Sequence, residues 1–142
     1  MTLADVNVLL YAHREDSPRH AECHRWLLDT MSADAPFGVS DAVLASVVRI
    51  ATHPKIFKQP SRLDVVLAFV AGLLAQPTAI VVRPGAHHWQ IFTRLCREAA
   101  VRGNLVSDAY LAALAIESGC EWITTDRDYS RFKGLRWRHP LQ

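Results

Sequence analysis

The sequence predicts an α/β fold, a three-layer arrangement with a central, mostly parallel sheet of about five strands. Three observations lead there. Short β-branched or apolar runs alternate with longer stretches whose apolar residues recur at helical spacing. Each run changes directly to a helical pattern, as in a strand–helix–strand unit. The acidic residues of greatest interest fall at the C-terminal end of a predicted strand (Asp5) or just past one (Asp126 and Asp128), where open α/β sheets bind ligands.

The elements follow in order. Thr2 to Asp5 is a short strand, and Asp5, at its junction with the helical pattern Val6-Asn7-Val8-Leu9-Leu10-Tyr11-Ala12, caps the helix that follows. Pro18 opens a second helix through about Met31. Pro36 to Ser40 is a strand, and Ser40 caps a third helix with the stripe Val43, Leu44, Val47, Val48 and Ala51, ended by Pro54. Ser61-Arg62-Leu63-Asp64 resembles a capping box for a fourth helix, which Pro77 ends. That helix has a wider apolar face than one core contact requires, as expected for a dimer or partner surface or for a deeply wedged helix. Thr78 to Val82 is the third strand. Ala86 to Arg102 is a fifth helix with Trp89, Phe92, Leu95, Cys96 and Ala99 inward.

The stretch Asn104-Leu105-Val106-Ser107-Asp108-Ala109 then opens a sixth helix. Ser107 is its expected cap and Asp108 lies in its first turn, near the positive end of the helix dipole. Gly119 stops it, Glu121 to Thr124 is a strand, a turn of helix surrounds Tyr129 to Phe132, and a last strand lies near Leu135 to Trp137.

Composition sets bounds. The 142 residues, half hydrophobic and 21% charged, suit one globular domain with its own core, spanning 1–142. The net charge of +2 permits an acidic partner such as RNA without requiring one. Cys23, Cys96 and Cys120 are odd in number and lack zinc or redox spacing, so reduced thiols and a cytoplasmic location are expected. No signal peptide and no membrane span are recognisable.

Each aspartate alone has an ordinary explanation as a cap or turn residue. Together at one sheet edge they would repel one another, and a divalent cation removes that conflict. Hard oxygen ligands suit Mg²⁺ or Mn²⁺, which can activate water for attack on a phosphodiester. Arg14, Arg49, Lys55, Lys58, Arg127, Arg131 and Lys133 are the cations available to hold a nucleic-acid backbone. His20 and His24, a turn apart around Cys23, are a weak zinc signal.

The run Asp5 to Ala12, the segment Arg49-Ile50-Ala51-Thr52-His53-Pro54, the Asn104 to Ala109 motif, and Thr124-Thr125-Asp126-Arg127-Asp128-Tyr129 occur in an order and spacing that resemble the PIN-domain family. The nearest group is the VapC toxins of type II toxin–antitoxin systems, and the similarity runs nearly end to end. The resemblance implies a metal-dependent ribonuclease that dimerises and is inhibited by a VapB-type antitoxin. It implies that Asp5, Asp108 and Asp126 hold Mg²⁺ or Mn²⁺, with Asp128 as a fourth catalytic or structural acid. Asn7 and Ser107 would orient the carboxylates, and Arg49 and Thr52 would face substrate. Many PIN nucleases carry a Glu near the position of Ser46, where this chain has no acid. A non-catalytic PIN domain that binds RNA or antitoxin is therefore the alternative. A haloacid-dehalogenase-like phosphatase is disfavoured, because Asn7 stands where a second acid is needed.

Overall fold

The computed structural model describes all residues, 1–142. Five short strands form one sheet: β1 (Thr2–Ala4), β2 (Phe37–Val39), β3 (Ala79–Val81), β4 (Glu121–Ile123) and β5 (Trp137–Arg138). Their order is β3-β2-β1-β4-β5, and every pairing is parallel. Six helices connect them: α1 (Val6–His13), α2 (His20–Ser32), α3 (Asp41–Ala51), α4 (Leu63–Leu74), α5 (His88–Glu98) and α6 (Asn104–Ser118). A 3₁₀ turn, Arg127–Arg131, links β4 to β5.

The strand order explains the layers. From β1 through β2 to β3 the chain steps one way across the sheet, then returns to place β4 on the other side of β1. Parallel crossovers are right-handed, so reversing direction moves the connecting helices to the opposite face. Helices α1 to α4 pack in sequence, α1 against α2 and α3 and α3 against α4, while α5 and α6 pack as a separate pair. The reversal also leaves a switch point between β1 and β4, the place where open parallel sheets bind ligands.

The core is apolar on both faces. Leu3, Val8, Val43, Val47, Val66, Leu95, Leu114, Trp122 and Ile123 are essentially inaccessible. Along α6, Ala109, Ala112, Ala113 and Ala115 are buried and small, so the helix can pack closely against the sheet. Gly38 is needed where it stands: a Cβ there would lie 3.0 Å from Val82 Cγ2 and 3.2 Å from the Thr2 carbonyl oxygen. No helix is long and apolar enough to cross a membrane.

Three local expectations are corrected. First, α6 begins at Asn104, with Gly103 at φ +61° making the sharp entry. Ser107 is therefore no cap, and Asp108 lies in the second turn, beyond the strongest part of the dipole. Second, the Ser61 hydroxyl does not cap α4, because His13 Nε2 (3.0 Å) and Arg14 Nη1 (3.2 Å) engage it. Arg14 is itself buried, stacked 3.7 Å from the Phe57 ring centroid and paired with Asp16, so it is a structural clamp and not a backbone-holding cation. Third, Trp89 points outward, 67% exposed, while Leu95 fills the inward position of α5.

The broad apolar face of α4 resolves in favour of a surface. Only Val66 and Leu73 are buried, whereas Leu63, Val65, Leu67 and Leu74 are exposed. The zinc reading of α2 fails: Cys23 is fully buried, and the His20 and His24 rings stack on each other with His20 Nδ1 against the Tyr11 carbonyl oxygen. All three cysteines are free.

Candidate metal-binding and catalytic site

The end of β1 delivers Asp5 to the switch point. Its backbone N–H still donates to Ile123 O of β4 (2.8 Å), holding the two strand ends together. Its side chain then caps α1, with Oδ1 accepting from Val6 N at 2.7 Å. Oδ2 accepts from the Thr124 hydroxyl (2.7 Å) and from Asn7 Nδ2 (2.9 Å). Asp5 is 5% exposed. Burial first, and the charges of Asp108 and Asp126 after it, push its pKa up to about 7 against the hydrogen bonds that lower it.

Thr124 and Tyr129 were missed as site residues by the motif reading, and both are hubs. Thr124 is fully buried. Its hydroxyl donates to Asp5 and accepts from Asp126 N (3.0 Å) and Asn7 Nδ2 (3.2 Å). Asn7 Oδ1 in turn accepts from Thr125 N at 3.2 Å, tying α1 to the turn after β4. Tyr129, almost fully buried against Trp122, donates its hydroxyl to Asp108 Oδ1 at 3.3 Å. A buried Tyr and Thr following a strand-end motif were the available signals, since a buried hydroxyl requires a partner.

Helix α6 supplies one wall. Asn104, Ser107, Asp108 and Leu111 share a face at helical spacing, and all four line a cleft of about 480 Å³. Asp5, Asn7 and Asp126 line it from the strand ends, and Ser46, Arg49 and Ile50 from α3. The expected residues Asp5, Asn7, Arg49, Ser107, Asp108 and Asp126 thus meet in one place. Asp108 is half-buried; burial chiefly, then the Asp126 charge, raise its pKa against the Tyr129 hydrogen bond.

Two expected residues stand apart. Asp128 is exposed on the 3₁₀ turn, where its N–H donates to Asp126 Oδ1 (2.8 Å) and its carboxylate pairs with Arg131 at 3.7 Å. Thr52 turns its hydroxyl back onto the carbonyl oxygens of Val48 (2.8 Å) and Arg49 (3.3 Å), closing the end of α3. Neither lines the cleft. Ser46 does, so the helix position that lacks an acid faces the carboxylates. Asp41 cannot replace it, because it is exposed at the start of α3 and pairs with Arg83 at 3.2 Å.

The donor set is three carboxylates, two serines and two asparagines, all hard oxygen or amide groups. No three acidic, His or Cys side chains are already drawn into a closed cage. None of the molecule's ion pairs neutralises Asp5, Asp108 or Asp126. Clustered, uncompensated carboxylates beside an open cleft fit a Mg²⁺-type ion, which takes few protein ligands and keeps water and substrate oxygens.

The fold and this cleft define a class. The chain belongs to the PIN-domain family, whose model matches residues 2–135. It is 43% identical over 142 residues to VapC ribonuclease Mb2897 of Mycobacterium bovis, covering 99% of this chain and 96% of that protein. It is 41% identical over 140 residues to ribonuclease VapC31 of Mycobacterium tuberculosis, covering 99% of each. Among solved structures, VapBC2 from Rickettsia felis bound to promoter DNA superposes with a TM-score of 0.71 at 16% identity, over 97% of both chains. Mycobacterium tuberculosis VapC20, a Sarcin-Ricin loop cleaving toxin, gives 0.68 at 18% identity, over 96% of this chain and 99% of that one. These two structures show the same fold.

Proposed function

We propose that this chain is a Mg²⁺- or Mn²⁺-dependent endoribonuclease, a VapC-type toxin of the cytoplasm restrained by a VapB-type antitoxin. The observation that carries the reading is the convergence of Asp5, Asp108 and Asp126 on one cleft at the sheet's switch point. Sequence identity above 40% to proteins named VapC ribonucleases supports it.

Asp5, Asp108 and Asp126 would hold the ion, whose part when bound is to acidify water and offset charge on the phosphodiester. The protein's own contribution is positional. Thr124 and Asn7 fix the Asp5 carboxylate in one rotamer, and Tyr129 fixes Asp108, so little reorganisation is needed as charge develops. Arg49, exposed on the α3 wall, is placed to meet a phosphate of the RNA entering the cleft. Association with antitoxin or a second copy suits the exposed apolar residues of α4. Several structural neighbours are toxin–antitoxin complexes, including VapBC from Salmonella typhimurium.

The test is incubation of purified protein with structured and single-stranded RNA, with Mg²⁺, Mn²⁺ or chelator, beside Asp5→Asn and Asp108→Asn. Cleavage that needs the metal and is lost in both variants is the expected result. Metal-independent cleavage, or full activity in either variant, overturns the assignment. One observation favours a second reading, binding without cleavage: Ser46 faces the carboxylates where many PIN nucleases place an acid. RNA binding with no cleavage by the parent, and cleavage recovered in Ser46→Glu, would establish that reading instead.

A further inference from the structure

Beside the carboxylate cleft lies a second one, about 510 Å³, lined by Arg127, Ser130, Trp137, His139, Leu141 and Gln142. We propose that it is an anion-binding subsite that holds a backbone phosphate of the RNA substrate, away from the bond that is cut. The proposal rests on the ribonuclease reading above and deepens it.

Position is the first argument. Asp126 lines the carboxylate cleft and the next residue, Arg127, lines this one. Both clefts therefore open at the C-terminal edge of the sheet, one on each side of the turn after β4, and a strand leaving the first can cross to the second.

The second argument is the donor pattern. His139 Nδ1 accepts from the Leu141 backbone N–H at 3.2 Å, and its Nε2 lies 3.2 Å from Arg19 Nη1, which also donates to Glu22 Oε1 at 3.2 Å. Arg19 is thus already committed, and the donors an anion would meet in this cleft are those of Arg127 and Ser130. Arg127 and the Ser130 hydroxyl are exposed on the 3₁₀ turn and make no side-chain hydrogen bond or ion pair within the protein, so their donors remain available to the same ligand. No acidic side chain lines the cleft, and the main-chain oxygen of Gln142 is engaged by Arg138 Nη1 at 2.7 Å.

Charge distribution is the third. Residues 126–142 contain five Lys or Arg against two Asp, a net +3, whereas the whole chain carries only +2. Of these cations Arg138 pairs with Glu121 and Arg131 with Asp128, which leaves Arg127 as the unpaired cation lining the cleft, where a phosphate contact requires one. The turn that shapes the cleft is fixed by backbone bonds from Gln142 N to His139 O (3.0 Å) and by Arg138 Nη1 to Gln142 O (2.7 Å).

The experiment measures binding of a fluorescent single-stranded RNA to the full chain in chelator, where no cutting occurs, across a range of salt. Arg127→Ala, His139→Gln and their double variant are compared with Arg62→Ala, a charge-matched control at the start of α4, the helix that packs on β3 at the opposite edge of the sheet. Arg127→Ala should weaken binding about fivefold at low salt and flatten the log–log salt slope by about 0.7, the value for one phosphate contact on a single strand. Arg127→Lys should restore the slope, and Arg62→Ala should change neither quantity. Inorganic phosphate should compete with the RNA only at far higher concentration, since it offers one contact. With Mg²⁺ present, Arg127→Ala should raise KM for RNA and leave kcat unchanged. Equal affinity and slope in Arg127→Ala, the double variant and Arg62→Ala would overturn the subsite while leaving the nuclease assignment intact. A parent protein that binds no RNA would overturn both.

Discussion

The Thr124 hydroxyl lies 2.7 Å from Asp5 Oδ2, joining the turn after β4 to the end of β1 across 119 positions of sequence. The same oxygen accepts from Asp126 N and Asn7 Nδ2. One buried side chain therefore sets the position of two proposed metal ligands and of the amide that orients one of them.

Thr124→Val keeps the shape and removes the hub. It leaves Asp126 N and Asn7 Nδ2 without this acceptor, at a cost of about 1–3 kcal/mol in stability. Because the hydrogen bond lowers the Asp5 pKa, its loss should raise that pKa further. The acid limb of the kcat/KM profile should move to higher pH. Denaturant unfolding and a pH–rate series check the two effects separately, and an unmoved limb would exclude Asp5 as the group that sets it.

Asp5 should also leave a mark on stability in the absence of metal. Its pKa is about 7 folded against 3.8 for the free side chain. The folded state then binds the extra proton between those values, so stability is fully present below about pH 4 and is lost as pH rises towards 7 and beyond. The contribution is on the order of 4 kcal/mol. Asp5→Asn should flatten that fall and be the more stable form at pH 8, although inactive. Melting curves in chelator from pH 4 to pH 8 test this, and parallel curves for parent and variant would contradict it.

Tyr129→Phe preserves the ring packing on Trp122 and Phe132 while withdrawing the proton donor from Asp108. Stability should change by no more than about 1 kcal/mol, since the bond is long and Asp108 is half-exposed. Mn²⁺ affinity should fall roughly tenfold, the usual penalty for losing a group that orients a ligand. Calorimetric titration of Mn²⁺ into both proteins provides the measurement.

Ser46→Glu adds a fourth carboxylate to the cleft wall. Without metal it should raise the pKa of Asp5 and Asp108 by like-charge repulsion and lower the melting temperature at pH 8. With metal the order should reverse, with tighter Mn²⁺ binding and a melting temperature that climbs more steeply with Mn²⁺ than the parent's. Unchanged affinity would mean that α3 does not reach the ion.

Much of this molecule was legible in its residues. The pattern of the apolar positions gives the order and type of the strands and helices, with bounds that shift at α5, α6 and β5; Gly119 stops α6 in the left-handed conformation at φ +70°, and Ser40 caps α3 as its spacing requires. Asp5, Asp108 and Asp126 could be proposed because the order and spacing of the motifs around them resemble the PIN-domain pattern, although Asp108 lies in the second turn of α6 and not at its start. Where α6 begins was decided by Gly103, whose left-handed entry lets Asn104 to Val106 join the helix and turns Ser107 from a cap into a cleft residue.

What only the tertiary structure decided are the relationships between segments distant in sequence. Which buried hydroxyl meets which carboxylate depends on β4 lying beside β1, and no local periodicity encodes that neighbour. The same pairing gives Thr124 and Tyr129 their roles, and the pairing of β4 with β5 sets Arg127 and His139 around a second cleft, whereas Asp128 and Thr52 are held out of the first by local bonds within their own turns. Sequence pattern is governed by local conformation and burial, whereas side-chain partnership is set by the close packing of elements brought together from opposite ends of the chain.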